Sequence, residues 1–435
     1  MAQTLLDLDS IMECTLDGLC KGIATNAEPF ALKDIASKGW NLLNGDMSLP
    51  IAVVKEPALE NNSRWMRDFT RASGVQICPH GKTTMCPQLF ELQLQDGAWG
   101  MTAATATHVA VYTQHGIRRI ILANQLIGAT DIAFVCAQLK QYPDLDFYCL
   151  VDSIENVQAL ARELSDLKAC RPVQVLLEIG MPGGRSGVRT TAQAHRLATE
   201  IKEHPQLALR GIEAFEGIVD LFAEEGRLRI DSMLGNVLET AALCERDSLF
   251  AEGEVLLSAG GSACFDWVAD RLKGARLEHG FEVIIRSGCY LTHDHGFYGR
   301  LVEDLRIRSD TAASLDSDLQ PALELWTWVQ SLPEAGLAII SLGKRDAGAD
   351  ISPPQALKIY RPGRDSTPQD LHECCETVAM NDQHLFLKIP PTADIKIGDM
   401  LGFGVSHPCT TIDKWRILYG VDNHYSVTSA LKTFF

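Results

Sequence analysis

The chain has 435 residues, enough for one large or two medium domains and a sizeable core. Its formal charge of −17, with no long basic run, excludes a nucleic-acid binder, because phosphate contacts need clustered Lys and Arg. No apolar stretch reaches the roughly 18 residues of a membrane span, so no membrane partner is expected. Thirteen cysteines lack framework spacing, their number is odd, Cys374 and Cys375 are adjacent, and others such as Cys136 and Cys149 sit in apolar runs. They read as reduced thiols of a cytoplasmic protein. The start, Met1 to Asp9, is acidic and lacks the basic region and apolar core of a signal peptide.

Residues 1–45 read as a short helical extension that packs on a C-terminal domain. From 46 to 300 the pattern alternates. After an opening strand, Ile51-Ala52-Val53-Val54, and a helix through Trp65 and Phe69, β-branched runs recur at 75–79, 98–102, 118–123, 146–151, 173–179, 210–215, 254–259 and 282–286. Helical periodicity falls between them, at 131–141, 154–167, 191–203 and 227–245. Strand–helix alternation predicts a parallel sheet, and eight units are the number that closes a (β/α)8 TIM-type barrel. An open doubly wound sheet is the competing architecture. Residues 303–320 are polar and read as a linker or loop. From 301 to 435 the apolar runs 323–330, 337–342, 383–389, 399–405 and 415–421 have no helices between them, only Gly and Pro clusters such as Arg361-Pro362-Gly363-Arg364. That predicts a separate, mostly antiparallel β domain.

Four segments carry chemistry. Lys82, in Cys78-Pro79-His80-Gly81-Lys82-Thr83-Thr84, lies just beyond the first barrel strand, and barrels place catalytic groups at strand C-termini. A lysine desolvated there becomes a nucleophile suited to a carbonyl cofactor, whereas a solvated loop lysine would do nothing. Met181-Pro182-Gly183-Gly184-Arg185 follows the fifth strand and can carry an arginine to a ligand, or be a surface loop. Gly260-Gly261-Ser262 follows the seventh strand. Its amides suit a phosphate, Ser262 can cap the next helix, and Arg286-Ser287-Gly288-Cys289-Tyr290 could complete the cradle. His407 and Cys409, two apart on a chain read as extended, point the same way. Imidazole with thiolate suits Zn²⁺, and so few protein ligands leave open positions.

Two runs, Pro79-His80-Gly81-Lys82-Thr83 and Ser406-His407-Pro408-Cys409-Thr410-Thr411-Ile412-Asp413-Lys414-Trp415, make the chain recognisable over about residues 50 to 430. It resembles the D-serine dehydratase-like and D-threonine aldolase-like family of pyridoxal-phosphate enzymes, whose barrel is of the alanine-racemase type. The resemblance implies that Lys82 holds pyridoxal 5'-phosphate as a Schiff base. Arg185 would face the pyridine nitrogen, and Gly261, Ser262, Gly288 and Tyr290 would surround the phosphate. His407 and Cys409 would bind a divalent metal, usually zinc. It also implies a homodimer. Cys78 and Thr84 depart from the family's frequent arginine and histidine.

A His-x-Cys pair is typical of the dehydratase branch, where the aldolase branch tends to carry aspartate as the second ligand. The expected activity is therefore dehydration and deamination of a small D-3-hydroxy amino acid, such as D-serine, D-threonine or D-3-hydroxyaspartate, to a 2-oxo acid and ammonia. Lys82 would take the Cα proton. An arginine at the ring nitrogen leaves it unprotonated, so a metal on the β-hydroxyl would supply the missing activation. A D-threonine-type aldolase, giving glycine and an aldehyde, would use the same lysine and metal. A non-catalytic cofactor-binding protein of this barrel type would generally lack the β domain.

Overall fold

The computed structural model describes residues 5–217, 223–278, 280–371 and 375–435. Eight parallel strands form the barrel: Gln76–Ile77, Met101–Ala103, Arg119–Gln125, Asp146–Val151, Val173–Ile179, Leu207–Ala214, Val255–Ala259 and Phe281–Ile285. From the second strand to the eighth each pairs with its sequence neighbour, and the eighth also pairs with the first. The first and second strands close the ring through the His80–Thr102 bridge and the bonds Trp99 N to Ile77 O (2.7 Å) and Thr102 N to Pro79 O (2.8 Å). Closure excludes the open doubly wound sheet.

Alternation along these strands decides what faces the site. Cys78, Ile121, Tyr148, Leu150, Leu176, Leu256 and Ile284 form their own cluster, the barrel interior. Their neighbours Ile120, Leu122, Cys149, Val175, Leu177, Leu257 and Ile285 pack outward into the main core under the helices. Side chains repeat every two residues, so the inward row continues at the C-terminal ends as His80, Ala123, Ser258 and Arg286. The helices begin where hydroxyls can cap them. Thr105, Ser153 and Thr190 accept from the amides of His108, Asn156 and Gln193. The helix Glu56–Ser73 buries Ala58, Leu59, Asn62, Trp65, Met66, Phe69 and Ser73 on one face and ends at Gly74, whose φ of 65° suits glycine.

The β domain is a mainly antiparallel sheet built on the long strand Leu323–Glu334, with Leu337–Ile340, Gln355–Tyr360, Glu376–Met380, Leu385–Lys388 and Met400–Gly404 around it. The opening strand needs a correction. Ile51–Lys55 is not part of the barrel region in space. It pairs antiparallel with 323–326 and parallel with Ile417–Val421, in the β-domain sheet. A buried, β-branched strand fits any sheet interior equally well, so periodicity could not choose between the two. Residues 11–47 pack on this sheet: Ile11, Leu16, Leu32, Ile35 and Leu42 share a core with Ile51, Val53, Trp326 and Tyr419. The polar stretch 303–320 contains two helical turns, Leu305–Arg308 and Asp310–Ala313. Twelve of the cysteines are free thiols, and Cys374 lies outside the described residues. No helix among the described residues is long and apolar enough to cross a membrane.

Candidate active site

A cavity of about 450 Å³ lies between the C-terminal end of the barrel and the β domain. Lys82, Arg185, Gly261, Ser262, Gly288, His407 and Cys409 all line it. The strand ends set the geometry. Thr102 donates its hydroxyl to Cys78 O at 2.6 Å, fixing the chain before the turn Gly81–Thr83 that presents Lys82. Gly81 is required there, because a Cβ would sit 2.1 Å from the Tyr112 hydroxyl oxygen. Gly288 is packed still more rigidly. Its Cβ would lie 2.4 Å from His80 O and 2.9 Å from Thr83 Oγ1, so the loop after the last strand rests on the lysine turn. Beside Lys82, half-buried His80 stays neutral, because desolvation and the charges of Lys82 and Arg286 disfavour its cation.

The loop carrying Arg185 is clamped from behind. Arg189 donates to the carbonyls of Ser186 and Gly187 at 2.6 Å and of Arg185 at 2.8 Å. The Arg185 guanidinium, 4.7 Å from the centre of the Phe215 ring, stacks over it at the cavity wall. A second guanidinium, Arg286, is buried beneath the cavity. It bonds Glu213, Ser258 and, at 3.0 Å, Ala214 O. Arg286 therefore lines the cavity from its floor, with its guanidinium held by protein partners. Burial pushes the Glu213 carboxyl up to about 7, against the pull of Arg286.

Three further expectations need correction. Tyr290 does not reach the cavity. It is 2% exposed and its hydroxyl accepts from Gln93 Nε2 at 3.0 Å, inside the core. Tyr298, from the connecting segment, is the tyrosine that lines the cavity. Ser262 does not cap a helix, since the next one starts at Phe265 with Cys264 at its N-cap. The amides of Gly260 and Gly261 donate to the Glu216 carboxylate. This shows that the turn, with Gly260 at φ 89°, is an anion-binding shape, but in this structure an internal carboxylate holds those two donors.

His407 and Cys409 converge on the cavity through a turn, not through extended chain. Pro408 has helical dihedrals and caps the short helix Cys409–Ile412. Asp350, which the sequence reading did not single out, fixes the imidazole. Its Oδ2 is 2.7 Å from His407 Nδ1 and its Oδ1 accepts from Thr410 at 2.7 Å. Burial would raise this carboxyl, but the bonds from Thr410 and His407 hold it below its ordinary value. A carboxylate on Nδ1 leaves Nε2 as the ring nitrogen free to take a ligand. Among the described residues no three His, Cys, Asp or Glu side chains form a closed metal cage. Two protein ligands with open positions remain the arrangement the donors fit. Cys289 also enters this corner, its sulfur 3.5 Å from that of Cys409. The hydrogen bond with Cys409 draws the Cys289 thiol down, and the same contact with burial pushes Cys409 up. Asp294, held by the amides of Gly296 and Tyr298, is pushed up to about 7 by burial. It had no sequence signal, because a helix-capping aspartate reads the same buried or exposed.

A closed barrel with a lysine at the end of its first strand, joined to an antiparallel β domain that closes the site, defines the alanine-racemase-type class of fold. The family described as "Alanine racemase, N-terminal domain" matches residues 54–271, and "Putative serine dehydratase domain" matches 322–421. The chain belongs to the D-serine dehydratase-like and D-threonine aldolase-like family of pyridoxal-phosphate enzymes. It is 24% identical over 369 residues to D-threonine aldolase of Arthrobacter sp, covering 82% of this chain and 86% of that one. It is 23% identical over 384 residues to 3-hydroxy-D-aspartate aldolase of Paracoccus denitrificans, covering 87% and 89%. The structure of D-threo-3-hydroxyaspartate dehydratase from Delftia sp. HT23 superposes with a TM-score of 0.70 at 18% identity, covering 91% and 99%.

Pyridoxal phosphate is the cofactor expected of this family, and the site fits it. A lysine faces an open cavity, Ser262 and the close-packed Gly288 loop lie at one side, and guanidinium groups stand at the wall and floor.

Proposed function

We propose that the protein is a metal-assisted dehydratase of D-3-hydroxy amino acids that releases a 2-oxo acid and ammonia. The observation that carries this reading is the pair His407–Cys409 lining one cavity with Lys82, its imidazole already oriented by Asp350. A thiolate with an imidazole selects zinc over the hard cations. A cysteine-to-alanine variant of a D-threo-3-hydroxyaspartate dehydratase that shares this fold is described in a metal-free form, which supports a metal in the reading.

Pyridoxal phosphate, held by Lys82 and by Ser262 and Gly288 around its phosphate, would supply the electron sink for charge left at the substrate's Cα. A zinc ion on His407 and Cys409 would supply Lewis acidity toward the β-hydroxyl. The chain's own residues do the rest. Lys82 Nζ takes the proton from Cα on one face, so one enantiomer is processed, and the family indicates the D form. The Arg185 guanidinium would face the cofactor's ring nitrogen and cannot give it a proton. Neutral His80 adds no charge beside Lys82. Phe215, Phe297 and Ile351 line the cavity and keep water from the reacting carbon.

The relatives named as aldolases favour a second reading, in which the β-hydroxyl is deprotonated and Cα–Cβ breaks. Incubating the purified protein with D-serine, D-threonine and D-3-hydroxyaspartate, and measuring ammonia, 2-oxo acid, glycine and aldehyde, separates the two. Ammonia with a 2-oxo acid is expected. Glycine with an aldehyde would overturn the dehydratase assignment, and equal turnover of L-serine and D-serine would overturn the stereochemical one.

A further inference from the structure

Cys289 follows the last barrel strand, and Cys409 opens the short helix of the β domain. Both line the cavity, with their sulfurs 3.5 Å apart. The Thr83 hydroxyl touches both, 3.8 Å from Cys289 and 3.4 Å from Cys409. Cys78, Cys86 and Cys149, by contrast, are sealed in the core. Two thiols from different domains thus meet in a space open to small solutes.

We propose that Cys289 and Cys409 form a dithiol oxidation site, closed to a disulfide by hydrogen peroxide. One sulfur attacks a peroxide oxygen and the O–O bond breaks, giving a sulfenic acid and one water. The other thiol's sulfur displaces that hydroxyl, forming the S–S bond and a second water. The two thiols lose two electrons and two protons, and peroxide gains them. A disulfide is about 2.05 Å long, so the sulfurs must approach by roughly 1.5 Å. That is within reach of side-chain rotation with a small loop shift. The consequence rests on the proposed role of Cys409 as a metal ligand. The disulfide takes that sulfur from the metal and ties the barrel to the β domain at the cavity wall. A thiol reductant reverses it.

The test uses the full-length protein as purified, freed of reductant, with its zinc content measured first. After a few equivalents of hydrogen peroxide it is digested without reduction and mapped by mass spectrometry. The expected result is one reductant-sensitive peptide pair joining Cys289 to Cys409, loss of two free thiols, and release of zinc to a chromogenic chelator. Cys289→Ser and Cys409→Ser should each abolish the linked pair. Cys289→Ser should also slow zinc release relative to wild type, each protein being compared with its own untreated sample. A linked pair in protein that holds no metal would sustain this site while removing the metal reading. Absence of the pair, with both thiols intact or oxidised singly while zinc is bound normally, would overturn the oxidation site and leave the metal reading standing.

Discussion

Replacing Asp350 tests the site where its geometry is most specific. The carboxylate contacts His407 Nδ1 and Thr410 Oγ1, both at 2.7 Å, and lines no part of the cavity itself. Removing a partner of this kind from a metal-binding histidine costs about 10- to 100-fold in metal affinity, or roughly 1.4 to 2.7 kcal/mol. Here the Asp350 side chain is 46% exposed and that of His407 is 28% exposed, so water screens the pair and the lower end applies. Asp350→Ala should weaken zinc about 10-fold, measured by competition against a chromogenic chelator. Asp350→Asn keeps one acceptor oxygen and turns the other into a donor, so it should fall between Ala and wild type. The melt should hardly move, because an exposed ion pair is worth about 0 to 1 kcal/mol of stability. Equal zinc affinity across the three proteins would refute the orienting role of Asp350. A large drop in melting temperature would mean the contact is structural.

Three other outcomes follow from the same geometry. Lys82→Ala should abolish the cofactor's visible absorption band, and borohydride reduction with peptide mapping should place the label on Lys82; a label on another lysine would contradict the assignment. Gly288→Ala drives a Cβ into His80 O at 2.4 Å, a backbone atom that cannot swing away. It should cost about 1 to 3 kcal/mol and weaken cofactor binding together, read by denaturant titration and by absorbance, and a neutral result on both would show the loops are free to part. Burial raises the Asp294 carboxyl to about 7. A raised folded pKa means the folded state holds the proton more tightly, so this group's contribution is full below about pH 4 and is lost as pH rises through about 7. Asp294→Asn should therefore be closest to wild type in stability, or exceed it, near pH 8, and fall furthest behind near pH 5, by urea denaturation across that range. A difference that is constant with pH would refute the shift.

The sequence by itself determined the barrel and several of the side chains that gather at its C-terminal end. Eight β-branched runs with amphipathic segments between them allow few alternatives to a parallel closed sheet, because period and spacing are local properties. Lys82 was legible for the same reason: it stands a fixed few residues past a strand, among Pro, His and Gly. His407 and Cys409 were legible as a donor pair. Only the tertiary structure decided which partners surround them. Asp350 is 57 residues from His407, and Cys289 is 120 residues from Cys409, distances at which no periodicity signals a contact. Tyr290 shows the limit most plainly. It lies two residues past Gly288, yet the turn after the last strand directs its ring to Gln93 in the core and leaves the cavity wall to Tyr298. Ile51–Lys55 was legible as a strand but not as a member of the β-domain sheet. An edge of hydrogen-bond donors and acceptors is the same in any sheet, and the packing of Val53 against Trp326 and Tyr419, not its own sequence, chose the partner.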